Sequence, residues 1–274
     1  MIVIFFVISK IVKINIINNA DSIKVVECKL SKEKSENESN SEYYVKNKGK
    51  ILAQCKSLIK ETEVTIFSAY DKEVSENVKN QFYTEVENLL PRLPYVGGDD
   101  SPFTLLMIQS AITVAFYKAS KPLNLSERES GELIYRIAEK HGQSMSLLKK
   151  WMYRKMIFSK KVKSYWEKWM NESQKRTYPQ NWVGTFIQGD NKAFDYGYDF
   201  TECGCLKLME KENTKEITPY VCLCDYARMR ALGIGFKRTK TLAKDAEMCD
   251  FRFIKGYKTP RGWPPEYLEE LGLL

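Results

Sequence analysis

Trp182-Val183-Gly184-Thr185-Phe186-Ile187-Gln188, the turn residues Gly189-Asp190-Asn191, and Phe194-Asp195-Tyr196-Gly197-Tyr198-Asp199-Phe200-Thr201 mark the point where the periodicity of the chain changes. Up to Tyr178-Pro179 the apolar residues recur at helical spacing; beyond it the period is two. Two such runs around Gly-Asp-Asn predict paired antiparallel strands, Trp182 to Gln188 with Phe194 to Thr201.

Upstream, helical spacing predicts helices over about Val45 to Lys60 and Glu73 to Leu90, the second ended by Pro91 and the Pro94 to Gly98 loop. Ser101-Pro102 places a capping hydroxyl before a proline at the first helical position, and Phe103 to Ala119 is apolar enough to be a buried helix. Ser126-Glu127-Arg128-Glu129 has the spacing of a capping box for a helix running to about Lys140. One long helix is expected from Ser144 to Met170. Downstream of the hairpin, Thr218-Pro219 opens a helix that ends near Gly233, and Phe236 to Leu242 and Cys249 to Lys255 read as two more strands. This order predicts an α+β fold: the helical N-terminal two-thirds packed on a four-stranded, mainly antiparallel sheet in the C-terminal third, and not a doubly wound sheet.

The apolar run Ile2 to Ile8 lacks a basic leader and a small-residue cleavage site, and it is too short to span a membrane. Ser31 to Ser41 has no apolar residue and reads as a mobile linker. The domain expectation is therefore an N-terminal tip and linker over 1–41, a single α+β domain over 42–254, and a peripheral, proline-containing tail over 255–274. The chain's net charge is +8, and the stretch from Ser144 to Asn181, with ten Lys/Arg against two Asp/Glu, carries a net +8 on its own. With its aromatics explained by packing, that stretch reads as a solvated basic face, and nucleic acid is not an expected partner. Seven cysteines and the close C-x-C pairs argue against a disulfide framework and for a reducing, cytoplasmic setting.

Five of the seven cysteines fall between Cys203 and Cys249, whereas the single histidine, His141, lies outside that stretch. An extended Cys249-Asp250-Phe251-Arg252-Phe253 segment turns Cys249, Phe251 and Phe253 to one side and Asp250 with Arg252 to the other. The Asp250/Arg252 pair then reads either as a surface ion pair or as one polar wall of a site. Cys222, Asp225 and Met229 share one stripe of their helix, so Asp225 is expected as a buried carboxylate that caps backbone groups or acts as an acid or base. Strand parity puts Arg238 with Lys240 on one side and Thr239 with Thr241 on the other, where an arginine beside hydroxyls suits a substrate carboxylate. The C-x-C spacing is not that of structural zinc sites, and neither a metal nor a cofactor is expected. Arg238 or Arg252 could activate a thiolate by opposite charge.

Glu202-Cys203-x-Cys205, Pro219-Tyr220-x-Cys222-x-x-Asp225, Gly233, Arg238-Thr239-x-Thr241-Leu242-Ala243 and Cys249 to Phe253 together resemble the L-2-amino-thiazoline-4-carboxylic acid hydrolase family. The resemblance extends from about Leu89 to Ile254, with its specific motifs in the last fifty residues. The sequence departs from the family pattern at Lys244 to Met248, where glycines are expected and none stands. The resemblance implies a hydrolase that opens a small cyclic amidine or thiazoline ring, with water adding between sulfur and nitrogen. For that chemistry the one-stripe placement of Asp225 and the clustering of the thiols make Asp225 the candidate base, Cys205, Cys249 and Glu202 further catalytic candidates, and Arg238, Thr239, Thr241, Asp250 and Arg252 the candidate contacts to a small-molecule substrate. A small-molecule sensor on the same scaffold, without turnover, is the competing reading. The oligomeric state is left open.

Overall fold

The computed structural model describes residues 42–190, 192–266 and 268; the expected tip and linker over 1–41 lie outside these residues. The helical part comprises α1 (Glu42–Lys46), α2 (Lys48–Phe67), α3 (Lys72–Leu89), α4 (Pro102–Ala119), α5 (Glu127–Gln143), α6 (Leu147–Ile157) and α7 (Lys160–Ser173). The hairpin follows as β1 (Val183–Gln188) and β2 (Tyr196–Glu202), then α8 (Gly204–Lys211), α9 (Thr218–Leu232), β3 (Phe236–Lys237) and β4 (Cys249–Phe253). The four strands form one antiparallel sheet in the order β1-β2-β4-β3, so the fold is α+β.

Local chemistry starts these helices where the sequence signals them. The Ser101 hydroxyl accepts from the Phe103 N–H at 3.2 Å. At α5, Ser126 Oγ accepts from the Glu129 N–H while the Glu129 carboxylate accepts from the Ser126 N–H, a complete capping box. The stretch expected as one helix from Ser144 to Met170 is two. It breaks at Phe158-Ser159, and the Ser159 hydroxyl caps the start of α7 by accepting from Val162 N–H. Thr218 does not cap α9 either: it is the first helical residue, behind Ile217, and its buried hydroxyl caps nothing. The short α8 has a glycine as its first residue, which hid it from a periodicity reading.

Aromatic side chains hold the sheet's inner face. Tyr196 sits opposite Phe253 and Tyr198 opposite Phe251 in the β2–β4 register, with ring centroids 4.8 and 5.3 Å apart. Trp166 of α7 covers Tyr198 at 5.4 Å, and Phe236 of β3 closes on Phe253 at 5.8 Å. Such cross-strand pairs stabilise a sheet beyond the area they bury. Cys249, Phe251 and Phe253 point inward and Asp250 and Arg252 outward, as alternation requires.

Two departures reshape the last third. The strand expected from Phe236 to Leu242 stops at Lys237, and the chain then leaves the sheet. Strand parity therefore fails beyond that point: Arg238 is buried and Lys240 exposed, so they do not share a side. The described part of the tail packs more closely than its prolines suggested. Thr259 Oγ1 accepts from Phe236 N–H and donates to the Ile234 carbonyl, Trp263 lies against Tyr135 and Tyr220, and Leu268 is buried.

Helix α9, which carries much of the candidate site, is held against α5 at two glycines three turns apart. A β-carbon on Gly131 would stand 2.4 Å from Tyr220 Cβ, and one on Gly142 would stand 2.7 Å from Ala231 Cβ. The two helices thus run in parallel with their backbones close together. Gly131→Ala gains helix propensity but meets a β-carbon that cannot swing away. We expect a net loss of about 1–3 kcal/mol in urea unfolding; an unchanged or raised midpoint would show that α5 and α9 can part without cost.

Candidate active site

A cavity of about 90 Å³ lies where α4, α9, the sheet and the β2–α8 junction meet. Helix α4 contributes Leu106, Gln109, Ser110 and Thr113; α9 contributes Val221, Cys222, Cys224, Asp225 and Arg228; the sheet contributes Phe200, Cys249 and Phe251. Cys203 and Cys205 enter from the start of α8, and Trp182 and Arg238 complete the wall. Five cysteines from three segments of the chain thus face one space.

Arg238 is the centre of the arrangement. Its side chain is 1% exposed, and its guanidinium donates to Asp225 Oδ2 at 3.1 Å and to the Cys222 carbonyl at 2.9 Å. The guanidinium also lies 5.2 Å from the Phe251 ring centroid and 5.8 Å from that of Tyr226. The Tyr226 hydroxyl fixes the backbone beneath it, donating to the Arg238 carbonyl at 2.6 Å and accepting from its N–H at 3.1 Å. Desolvation opposes charge on Arg238, yet the acidic groups around it, Cys222, Asp225 and Tyr226, outweigh that and hold its pKa above the ordinary arginine value. Among the described residues its Nε has no hydrogen-bond partner, nor has Nε of Arg228.

The loop from Arg238 to Met248 is tied down from both sides. On the outer side Asp250 Oδ1 accepts from the Thr239 and Lys240 N–H groups, and Oδ2 accepts from the Thr239 hydroxyl. On the inner side Cys249 Sγ accepts from Leu242 N–H at 3.3 Å, and the Thr241 hydroxyl lies 3.6 Å from both Cys249 Sγ and Cys222 Sγ. The glycine-free segment makes its turn with Asp245 at φ +59°, in the left-handed region that aspartate tolerates better than most residues.

Of the sequence-derived candidates, Asp225, Cys205, Cys249 and Arg238 line the cavity, and Thr241 touches two of its thiols. Glu202, Thr239, Asp250 and Arg252 do not line it. Glu202 is held by Lys207 and Arg176, which lower its pKa. Arg252 donates to Asp199 at 2.6 Å on the outer face of the sheet. His141 bonds Glu61 across α5 and α2 and is also outside the lining. Arg228 is the residue missed: it lies three positions after Asp225 and seven after Val221, the helical spacing that would have found it. Among the described residues no group of three or more His, Cys, Asp or Glu side chains is arranged to hold a metal ion.

The family model for L-2-amino-thiazoline-4-carboxylic acid hydrolase matches residues 106–253. The chain belongs to this family. The matched span contains every residue that lines the cavity, from Leu106 to Phe251. No curated protein and no solved structure matches this family member.

Burial changes the chemistry of the thiols. It pushes Cys205 and Cys224 up to about 11, Cys222 up to about 12, and Cys203 well above its ordinary value. These four are neutral near pH 7. We expect iodoacetamide at pH 8 to modify them at least about tenfold more slowly than an unhindered thiol, because only the thiolate reacts. Each keeps its proton in the fold while its unfolded counterpart ionises near 9.0. The thiols' contribution to stability should therefore be constant below about pH 9 and be lost as the pH rises from there towards 11. Rapid labelling of these four cysteines in the folded protein would contradict this account.

Proposed function

We propose that this chain opens a small cyclic amidine or thiazoline ring by hydrolysis, with a substrate of the 2-aminothiazoline-4-carboxylate class and a product of the N-carbamoyl-cysteine class. The observation that carries this reading is a buried carboxylate–guanidinium pair, Asp225 with Arg238, on the wall of a thiol-lined cavity. At about 90 Å³ the cavity is smaller than the roughly 150 Å³ that holds a benzene ring in an apolar interior, so a carboxylated five-membered ring requires its wall to move outward on binding. The substrate carboxylate has a second cation available in Arg228.

In the mechanism we propose, Asp225 takes a proton from water as its oxygen bonds to the ring carbon between sulfur and nitrogen. The proton passes to the ring nitrogen, and the carbon–nitrogen double bond becomes single. The tetrahedral centre then collapses: its hydroxyl becomes the carbonyl of the carbamoyl group, the carbon–sulfur bond breaks, and Asp225 carries the hydroxyl proton to the departing sulfur. Arg238 positions Asp225 and offsets its charge in a site with little water. The protonated thiols give a polarisable wall beside the ring sulfur and are poor nucleophiles in that state. The close C-x-C pairs disfavour intrachain disulfides, which supports a reducing compartment such as the cytoplasm.

Ring opening liberates a thiol, which a colorimetric thiol reagent detects in quenched, protein-free samples. Asp225→Asn, checked for folding by circular dichroism, should lower kcat at least about 100-fold, whereas Cys249→Ser should cost less than about tenfold. The reverse pattern would replace activated water by attack of a Cys249 thiolate. Arg228→Met should raise KM for the carboxylate-bearing ring with little change in kcat, and a fall in kcat alone would remove Arg228 from substrate binding. A ring that binds and is never opened by the wild-type protein would mean a binding module instead.

A further inference from the structure

We propose that the outward face of α6, with the basic residues that follow it, docks on a bilayer containing anionic lipid. Leu147 is 82% exposed, Leu148 67% and Trp151 52%, the most solvated cluster of large apolar side chains among the described residues. At 100° per residue the three fall within an arc of about 100° on one side of the helix. The opposite side is fixed: Ile157 is fully buried, and Tyr153 and Met156 pack against the core. The apolar arc is therefore held away from the protein by an anchored helix.

Exposed positive charge accompanies this arc along the same helix and the next. Lys149, Arg154, Lys155, Lys160, Lys161 and Lys168 are all exposed on α6 and α7. The ten Lys/Arg against two Asp/Glu between Ser144 and Asn181 make this the part of the chain that carries its positive excess. Leucine and tryptophan on the outward side of a helix, with exposed lysine and arginine on the same helix and the next, match the two requirements of an interfacial contact. The apolar side chains enter the acyl boundary, and the cations meet lipid phosphates and carboxylates.

Other occupants fit less well. Nucleic acid would reward the cations but gain nothing from Leu147 and Leu148, which offer no stacking surface. A second copy related by two-fold symmetry would bring two strongly basic faces together. The contact is peripheral, because among the described residues no helix is long and apolar enough to cross a membrane.

The test uses the full chain and phosphatidylcholine vesicles with and without phosphatidylserine, read by co-sedimentation. All variants keep the apolar run Ile2 to Ile8, so any contribution from it is common to every sample. The wild type should sediment with anionic vesicles, less so as salt rises. The variant Leu147→Ser/Leu148→Ser/Trp151→Ser, with unchanged circular dichroism, should bind at least about tenfold more weakly. Lys149→Glu/Lys155→Glu should lose the preference for phosphatidylserine. Lipids brominated in their acyl chains should quench the wild type more than Trp151→Phe. Equal vesicle binding by the wild type and the triple serine variant would overturn the proposal. So would sedimentation without lipid, or binding to RNA but not to vesicles.

Discussion

The buried guanidinium of Arg238 is the constraint on which the last third of the molecule depends. A charge 1% exposed is tolerated only where it is paired and hydrogen-bonded, and here the partners come mostly from one helix. Helix α9 supplies the Asp225 carboxylate, the Cys222 carbonyl and the Tyr226 hydroxyl, while β4 supplies the face of Phe251. Helix and sheet are therefore locked in one relative position. The close approach of α9 to α5 at Gly131 and Gly142 fixes the other side of the same helix.

That lock also explains the shape of the site. The strand that begins at Phe236 ends at Lys237, and the chain leaves the sheet as a loop with Arg238 still on the inward side. Asp250, on the outward face of β4, gathers the amides of Thr239 and Lys240 and stops the loop from lifting. Thr241 and Leu242 are thereby set against Cys249 and Cys222. Asp250 thus works on the loop's outer side, while Asp225, Arg238, Arg228 and five cysteines line the cavity.

Much of this was legible in the sequence. The hairpin showed in its period-two alternation, α4 and α5 in their capping residues, and the burial of Asp225 in its spacing from Cys222 and Met229. The errors have a common physical origin. Strand parity beyond Lys237 assumed local regularity, but the chain leaves the sheet there, so Lys240 is exposed while Arg238 stays on the inward side with Phe236. Asp250 and Arg252 were rightly placed opposite Cys249, but alternation alone does not say which face of a strand borders a cavity. Arg228 was hidden because the stripe was drawn through Met229, towards the core, instead of one residue earlier, towards the cavity. The split between α6 and α7 turned on one serine hydroxyl, a cap that a lysine-rich run of helical spacing easily masks.

The measurement that tests this account most directly is a double-mutant stability cycle on Asp225→Asn and Arg238→Met, followed by chemical denaturation. If the pair is the lock described, each single substitution leaves a partner stranded in the interior and costs about 3–5 kcal/mol. The double variant should then be less destabilised than the sum of the two by roughly 2 kcal/mol or more. Strict additivity, with each substitution costing less than about 1 kcal/mol, would show that Arg238 and Asp225 are neighbours without being the interaction that organises the site.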